Sequence, residues 1–163
     1  MTTVAWDGKT MACDSCWSYE NAVDTLQNKI TRLPNGALLG QAGDNDARDI
    51  IKFLSGVKSP AKLPSRSRLQ RFKIDFLGLM VFSNGRVFKI ATATDYTDQE
   101  YDVGLWEVNA GINAIGTGAM IAMGALAAGA CAREAVEIAC RYDVNSRTPI
   151  HTFTLNDNAK SKR

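Results

Sequence analysis

The chain opens Thr2-Thr3-Val4-Ala5-Trp6-Asp7-Gly8-Lys9-Thr10-Met11-Ala12-Cys13-Asp14-Ser15, and this stretch decides how the rest is read. Residues 2–6 are rich in β-branched and aromatic side chains, Asp7-Gly8-Lys9 is a turn signal, and residues 10–14 can return as a second strand. A β-hairpin is therefore expected at the start, with a threonine directly behind Met1. A small residue after an initiator methionine permits its removal, which would leave Thr2 with a free α-amine. Such an amine, with an ordinary pKa of roughly 7.7–8.0, can take the proton of its own hydroxyl, so a terminal threonine can act as a nucleophile without a histidine.

Further along, residues 29–33 and 37–41 flank Pro34-Asn35-Gly36, and residues 73–82 and 86–91 flank Ser83-Asn84-Gly85, each a turn between β-rich runs. Residues 15–28 read as irregular. Asp44-Asn45-Asp46 are good helix-starting residues, Ile50, Ile51 and Leu54 follow at helical spacing, and Gly56 ends the pattern, which predicts one helix. Residues 118–128 are apolar on nearly every face and predict a helix buried between other elements. After Gly129 a second helix is predicted over 131–142, with Ala132, Ala135, Val136, Ala139 and Tyr142 on one face and Arg133 and Glu137 paired outward. Residues 148–155 predict a last strand and residues 156–163 a polar, basic tail. Strand pairs, a helix, more strands, a helical pair and a final strand give an α+β layered fold with mainly antiparallel sheets, expected as one domain over residues 1–155.

Composition narrows the class. The 163 residues are 45% hydrophobic and 22% charged, values of an ordinary globular chain. The longest apolar stretch, residues 119–132, is too short to cross a bilayer, and no signal-peptide pattern opens the chain, so a cytoplasmic protein without membrane contact is expected. A formal charge of +2 does not call for nucleic acid; the basic run at residues 58–73, broken by Pro60, Pro64 and serines, reads as a solvated loop. Cys13, Cys16, Cys131 and Cys140 are too sparse for a disulfide framework. Cys13 and Cys16 have metal-like spacing without a second ligand pair, so neither a metal nor another cofactor is expected. The one histidine, His151, reads as a strand residue rather than a base.

Five motifs in order then carry a resemblance: residues 2–8, Ala12-Cys13-Asp14-Ser15, Asn28-Lys29-Ile30, Leu39-Gly40-Gln41-Ala42-Gly43, and Ile115-Gly116-Thr117-Gly118. Together they resemble the proteasome β-subunits and HslV, which are N-terminal-nucleophile hydrolases of the threonine peptidase type, with a shorter first hairpin here. The resemblance implies a four-layer αββα sandwich, whose first helical layer is reduced because one helix and a basic loop stand where the family has two helices. It makes Thr2 the nucleophile, Lys29 the cation beside it, Asp14 the carboxylate holding that lysine, and Gly43 the donor to the oxyanion. Thr117 stands for the family's serine, and Asp143 and Ser146 for the aspartate and serine that complete the network around the terminal threonine. Arg147 and Thr148 stand where the proteasome has glycines. Gln41, with Thr31, Trp17 and Ser18, would form the primary specificity pocket. Implied partners are peptides or unfolded proteins, further copies of the chain in a homo-oligomeric ring, and an ATPase unfoldase. Another amidase on the same scaffold and a catalytically silent shell or assembly subunit are the alternatives.

Overall fold

The structure, a computed structural model, describes residues 2–19, 22–25, 27–43, 47–92 and 103–156. The opening stretch forms the expected hairpin, β1 (Thr3–Trp6) and β2 (Thr10–Cys13). Asp7 closes it: Oδ1 accepts the N–H groups of Lys9 and Thr10 at 2.9 and 2.7 Å. The short ribbon β3 (Trp17–Tyr19) and β4 (Ala22–Asp24) follows where irregular chain was expected. Next come β5 (Ile30–Arg32), β6 (Leu38–Gly43), α1 (Arg48–Ser55), a 3-10 turn (Pro60–Lys62), α2 (Arg66–Leu69), β7 (Phe76–Val81) and β8 (Val87–Thr92). The chain ends with β9 (Gly104–Val108), β10 (Asn113–Gly116), α3 (Ala119–Ala127), α4 (Ala132–Tyr142) and β11 (His151–Thr154).

Two antiparallel sheets result, one ordered β10-β1-β2-β11 and one ordered β5-β6-β7-β8-β9. Alternation along each strand sorts their side chains into three apolar layers. Val4, Trp6 and Met11 face Leu38, Leu79 and Val81 between the sheets. Ala5, Ala12 and Ala114 face the other way, toward Ala132, Ala135 and Ala139 of α4 and Ala122 of α3. Small side chains on both partners let that helical layer lie close to the sheet. Leu39, Phe76, Met80 and Ile90 cover the far side of the second sheet and meet Ile50 and Leu54 of α1 and Leu69 of α2. The αββα sandwich follows, each large buried side chain contributing about 1.5–3 kcal/mol.

Several expectations need correction. α1 starts at Arg48 behind Ala47, and Asp44, Asn45 and Asp46 lie outside the described residues. The run at 58–73 is not all solvated loop: α2 buries Leu69, and the Arg68 and Arg71 guanidiniums stack 5.2 and 4.5 Å from the Phe53 ring centre. The first helical layer thus keeps two helices, the second only one turn long. α3 is apolar but not enclosed, with Met120 84% exposed, and Tyr142 is 74% exposed instead of joining the inner face of α4. Strands β9 and β10 had no counterpart in the sequence reading. The last strand is shorter than residues 148–155 because Thr148 and Pro149 precede it in a turn with a cis peptide bond. Arg133 and Glu137 pair outward as expected, at 3.0 Å. The tail beyond Asn156 lies outside the described residues.

Candidate active site

Five of the residues singled out from sequence form two polar clusters that meet on the first strand, Asp14 with Lys29 and Thr117 with Asp143 and Ser146. In the first, Asp14 is fully buried at the end of β2 and Lys29, 2% exposed, stands just before β5. Lys29 Nζ donates to Asp14 Oδ1 at 2.8 Å and also to the carbonyl oxygen of Cys16. The same Oδ1 accepts the N–H of Thr3 at 2.8 Å, while Oδ2 accepts the N–H groups of Cys16 and Arg147 at 2.8 and 3.2 Å. Both carboxylate oxygens are thereby satisfied, the condition under which a buried ion pair is tolerated.

The second cluster joins Thr117, Asp143 and Ser146. Asp143 Oδ2 accepts hydrogen bonds from Thr117 Oγ1 at 2.8 Å and Ser146 Oγ at 2.6 Å, and Oδ1 accepts from the N–H of Asn145 at 3.2 Å. Partial burial pushes the Asp143 carboxyl up, but these donors outweigh it and hold it below its ordinary value. From this cluster Ser146 Oγ reaches Thr3 Oγ1 at 2.6 Å and Thr117 Oγ1 reaches the Thr2 carbonyl at 3.4 Å. The contact therefore goes to the hydroxyl of the second threonine and the carbonyl of the first. Thr3 was missed by the sequence reading; its only signal was its place beside Thr2 on a strand whose alternate side chains face the alanine layer. Gly118 makes room for it, since a Cβ there would stand 2.0 Å from Thr3 Oγ1.

Thr2 itself is 4% exposed. Gly43 ends β6 with φ +107, and a Cβ there would stand 2.1 Å from the Asp75 carbonyl oxygen, so the fold needs glycine at this position on steric grounds alone. Gln41, two residues earlier, donates its N–H to the Lys29 carbonyl at 2.9 Å. Its side-chain oxygen is buried and has no hydrogen-bond partner among the described residues. Thr31 opposes Leu39 in the β5–β6 register, which puts it on the same sheet face as Gln41. Trp17 and Ser18 belong to the separate β3–β4 ribbon, and the Ser18 side chain lies outside what is described.

His151 stands on β11 opposite Cys13, with Nε2 buried and unpartnered among the described residues. The Cys13 thiol is pushed up to about 11 by burial. No group of three or more metal-binding side chains occurs among the described residues. Nor is any helix among them long and apolar enough to cross a membrane.

Two mainly antiparallel sheets stacked between helical layers give the chain the fold of the HslV type. Three solved structures that resemble the chain over nearly its whole length are the following. BPH of Thiobacillus denitrificans in complex with epoxomicin has a TM-score of 0.68 and 19% identity, covering 94% of this chain and 97% of that one. A second structure of the same BPH has a TM-score of 0.65 at 18% identity, covering 94% and 96%. Eukaryotic HslV from Trypanosoma brucei has a TM-score of 0.61 at 19% identity, covering 94% and 97%. No protein-family model and no curated protein sequence matches the chain.

Proposed function

We propose that the chain is a threonine endopeptidase of the proteasome and HslV type, with Thr2 as its nucleophile once Met1 has been removed. The observation that carries this reading is the sharing of Asp14 Oδ1 between Lys29 Nζ and the Thr3 N–H, which ties a buried cation to the residue beside Thr2. Alternation along β1 supports it further. Thr3 and Ala5 face the helices whereas Val4 and Trp6 face the inter-sheet layer, so residue 2 turns toward the inter-sheet side rather than toward the helices.

In this mechanism the Thr2 hydroxyl oxygen attacks a peptide carbonyl while its proton passes to the Thr2 amine. The Lys29 ammonium favours the ionised hydroxyl and disfavours a protonated amine, so the amine is a competent base near neutral pH. Asp14 holds the ammonium in place, and the Gly43 N–H stabilises the oxyanion. Collapse releases the amine product, which takes the proton, and water then hydrolyses the Thr2 ester. Thr117, Asp143 and Ser146 fix the backbone of residues 2 and 3. Gln41 and Thr31, with Trp17 and Ser18 beyond them, form the primary pocket. The substrates are peptides or unfolded protein delivered to a ring of identical chains, with an ATPase as the delivering partner.

Peptide hydrolysis by wild type and Thr2→Ala, with N-terminal sequencing, tests this reading. The expected outcome is a mature chain starting at Thr2, an epoxomicin adduct on it, and a rate in the variant lower by ~10³-fold or more. Retained Met1 with no hydrolysis would favour a silent assembly subunit. Small amides cleaved in preference to peptides would favour another amidase. Native mass of the same sample reads the ring size.

A further inference from the structure

Arg147 and Thr148, which replace the glycines of the resembled family, stand on the wall of a cavity of about 470 Å³. Among the described residues the rest of the lining is Thr25, Glu137, Cys140 and Arg141. Glu137, Cys140 and Arg141 lie three and four residues apart on α4 and so share one face of that helix. The turn after the helix closes a second side and Thr25, just beyond β4, a third.

Two guanidiniums therefore border one space. Among the described residues neither has a carboxylate partner, whereas Glu137 is held by Arg133 at 3.0 Å. Cys140 adds no negative charge near neutral pH, because burial pushes its thiol up to about 12. Glu137 is the one carboxylate of the lining among the described residues and is taken up by Arg133, so the two cations at this wall repel one another, and the planar donor fork of each guanidinium matches the oxygens of a phosphate or carboxylate. The hydroxyls of Thr25 and Thr148 supply further donors at the same wall. One side of the cavity is held by main-chain bonds: the Arg147 N–H donates to Asp14 Oδ2 at 3.2 Å and its carbonyl accepts the Ser15 N–H at 2.9 Å.

We propose that this cavity is a binding site for an oxyanion, a phosphate or carboxylate group gripped by Arg141 and Arg147. Oxyanion binding here does not require Thr2 to act as a nucleophile. Titration of the full chain with inorganic phosphate, and separately with succinate, at constant ionic strength tests the idea by calorimetry. Saturable binding is expected for at least one of them, weakened roughly tenfold or more in Arg147→Gln and in Arg141→Gln. Both side chains are exposed and neither makes a hydrogen bond or ion pair among the described residues, so the variants should unfold at the wild-type midpoint. Arg147→Lys, which keeps the charge without the fork, should fall between wild type and Arg147→Gln. Binding of phosphate alone identifies a phosphoryl ligand, and binding of succinate alone a carboxylate one. Absence of saturable binding, or an equal response in wild type and both glutamine variants as salt exclusion would give, overturns the proposal.

Discussion

Thr3 is the residue on which the two polar clusters close. Its N–H is bound to Asp14 and its hydroxyl to Ser146, so one side chain and one amide connect the buried ion pair to the Asp143 cluster. Asp14 is the more sensitive member. Asp14→Asn removes the carboxylate bound to the buried Lys29 ammonium and is expected to cost ~3–5 kcal/mol, while Asp14→Asn combined with Lys29→Met should recover a large part of it. Urea unfolding of the single and double variants measures both. A double variant no more stable than Asp14→Asn alone would mean that the carboxylate acts through its backbone bonds to Thr3, Cys16 and Arg147 rather than through the lysine. The pairing of Asp14 with Lys29 was legible as a motif, but Thr3 was not. Residue type says nothing about which of two adjacent threonines points toward the helices.

Among the elements, α2 differs most from its sequence. Serines, prolines and six basic residues between 58 and 73 read as solvated chain, yet one turn of helix forms there. Leu69 pins it into the layer beneath α1, and Arg68 and Arg71 lie across Phe53. Leu69→Ala is expected to destabilise by ~2–5 kcal/mol and to loosen α1 and α2 together, read by hydrogen exchange of residues 48–55 and 66–69. By contrast, the exposed Arg133–Glu137 pair should contribute no more than ~0.5 kcal/mol. Turn chemistry at 34–36 and 83–85 predicted two hairpins correctly, because proline, asparagine and glycine act through local backbone preferences. Strand β10 escaped notice because Asn113-Ala114-Ile115-Gly116 has weak strand propensity. What makes it a strand is pairing with β1, in which Thr3 opposes Gly116 and Trp6 opposes Asn113.

At the scale of the whole molecule, the layers decide which cysteines can react. Cys13 and Cys16 are buried, Cys140 is half-buried with its thiol pushed up to about 12, and Cys131 is exposed at the start of α4. Alkylation near pH 8 followed by mass spectrometry should therefore modify Cys131 first. Cys13 and Cys16 should react only as fast as the chain opens, and equal reactivity of all four would contradict the packing. The sequence by itself determined the opening hairpin, the helical pair and an α+β class with mainly antiparallel sheets, because periodicity and turn residues are local properties; the αββα layering and the residues of the polar centre came through the family resemblance that the ordered motifs carry. Only the tertiary structure decided that α3 stays exposed on one side, that β9 and β10 complete the sheets, and that Arg141 and Arg147 line one cavity. Those features depend on which distant segments pack together, and the free energy that selects among packings comes from burial shared across the chain rather than from any one stretch of it.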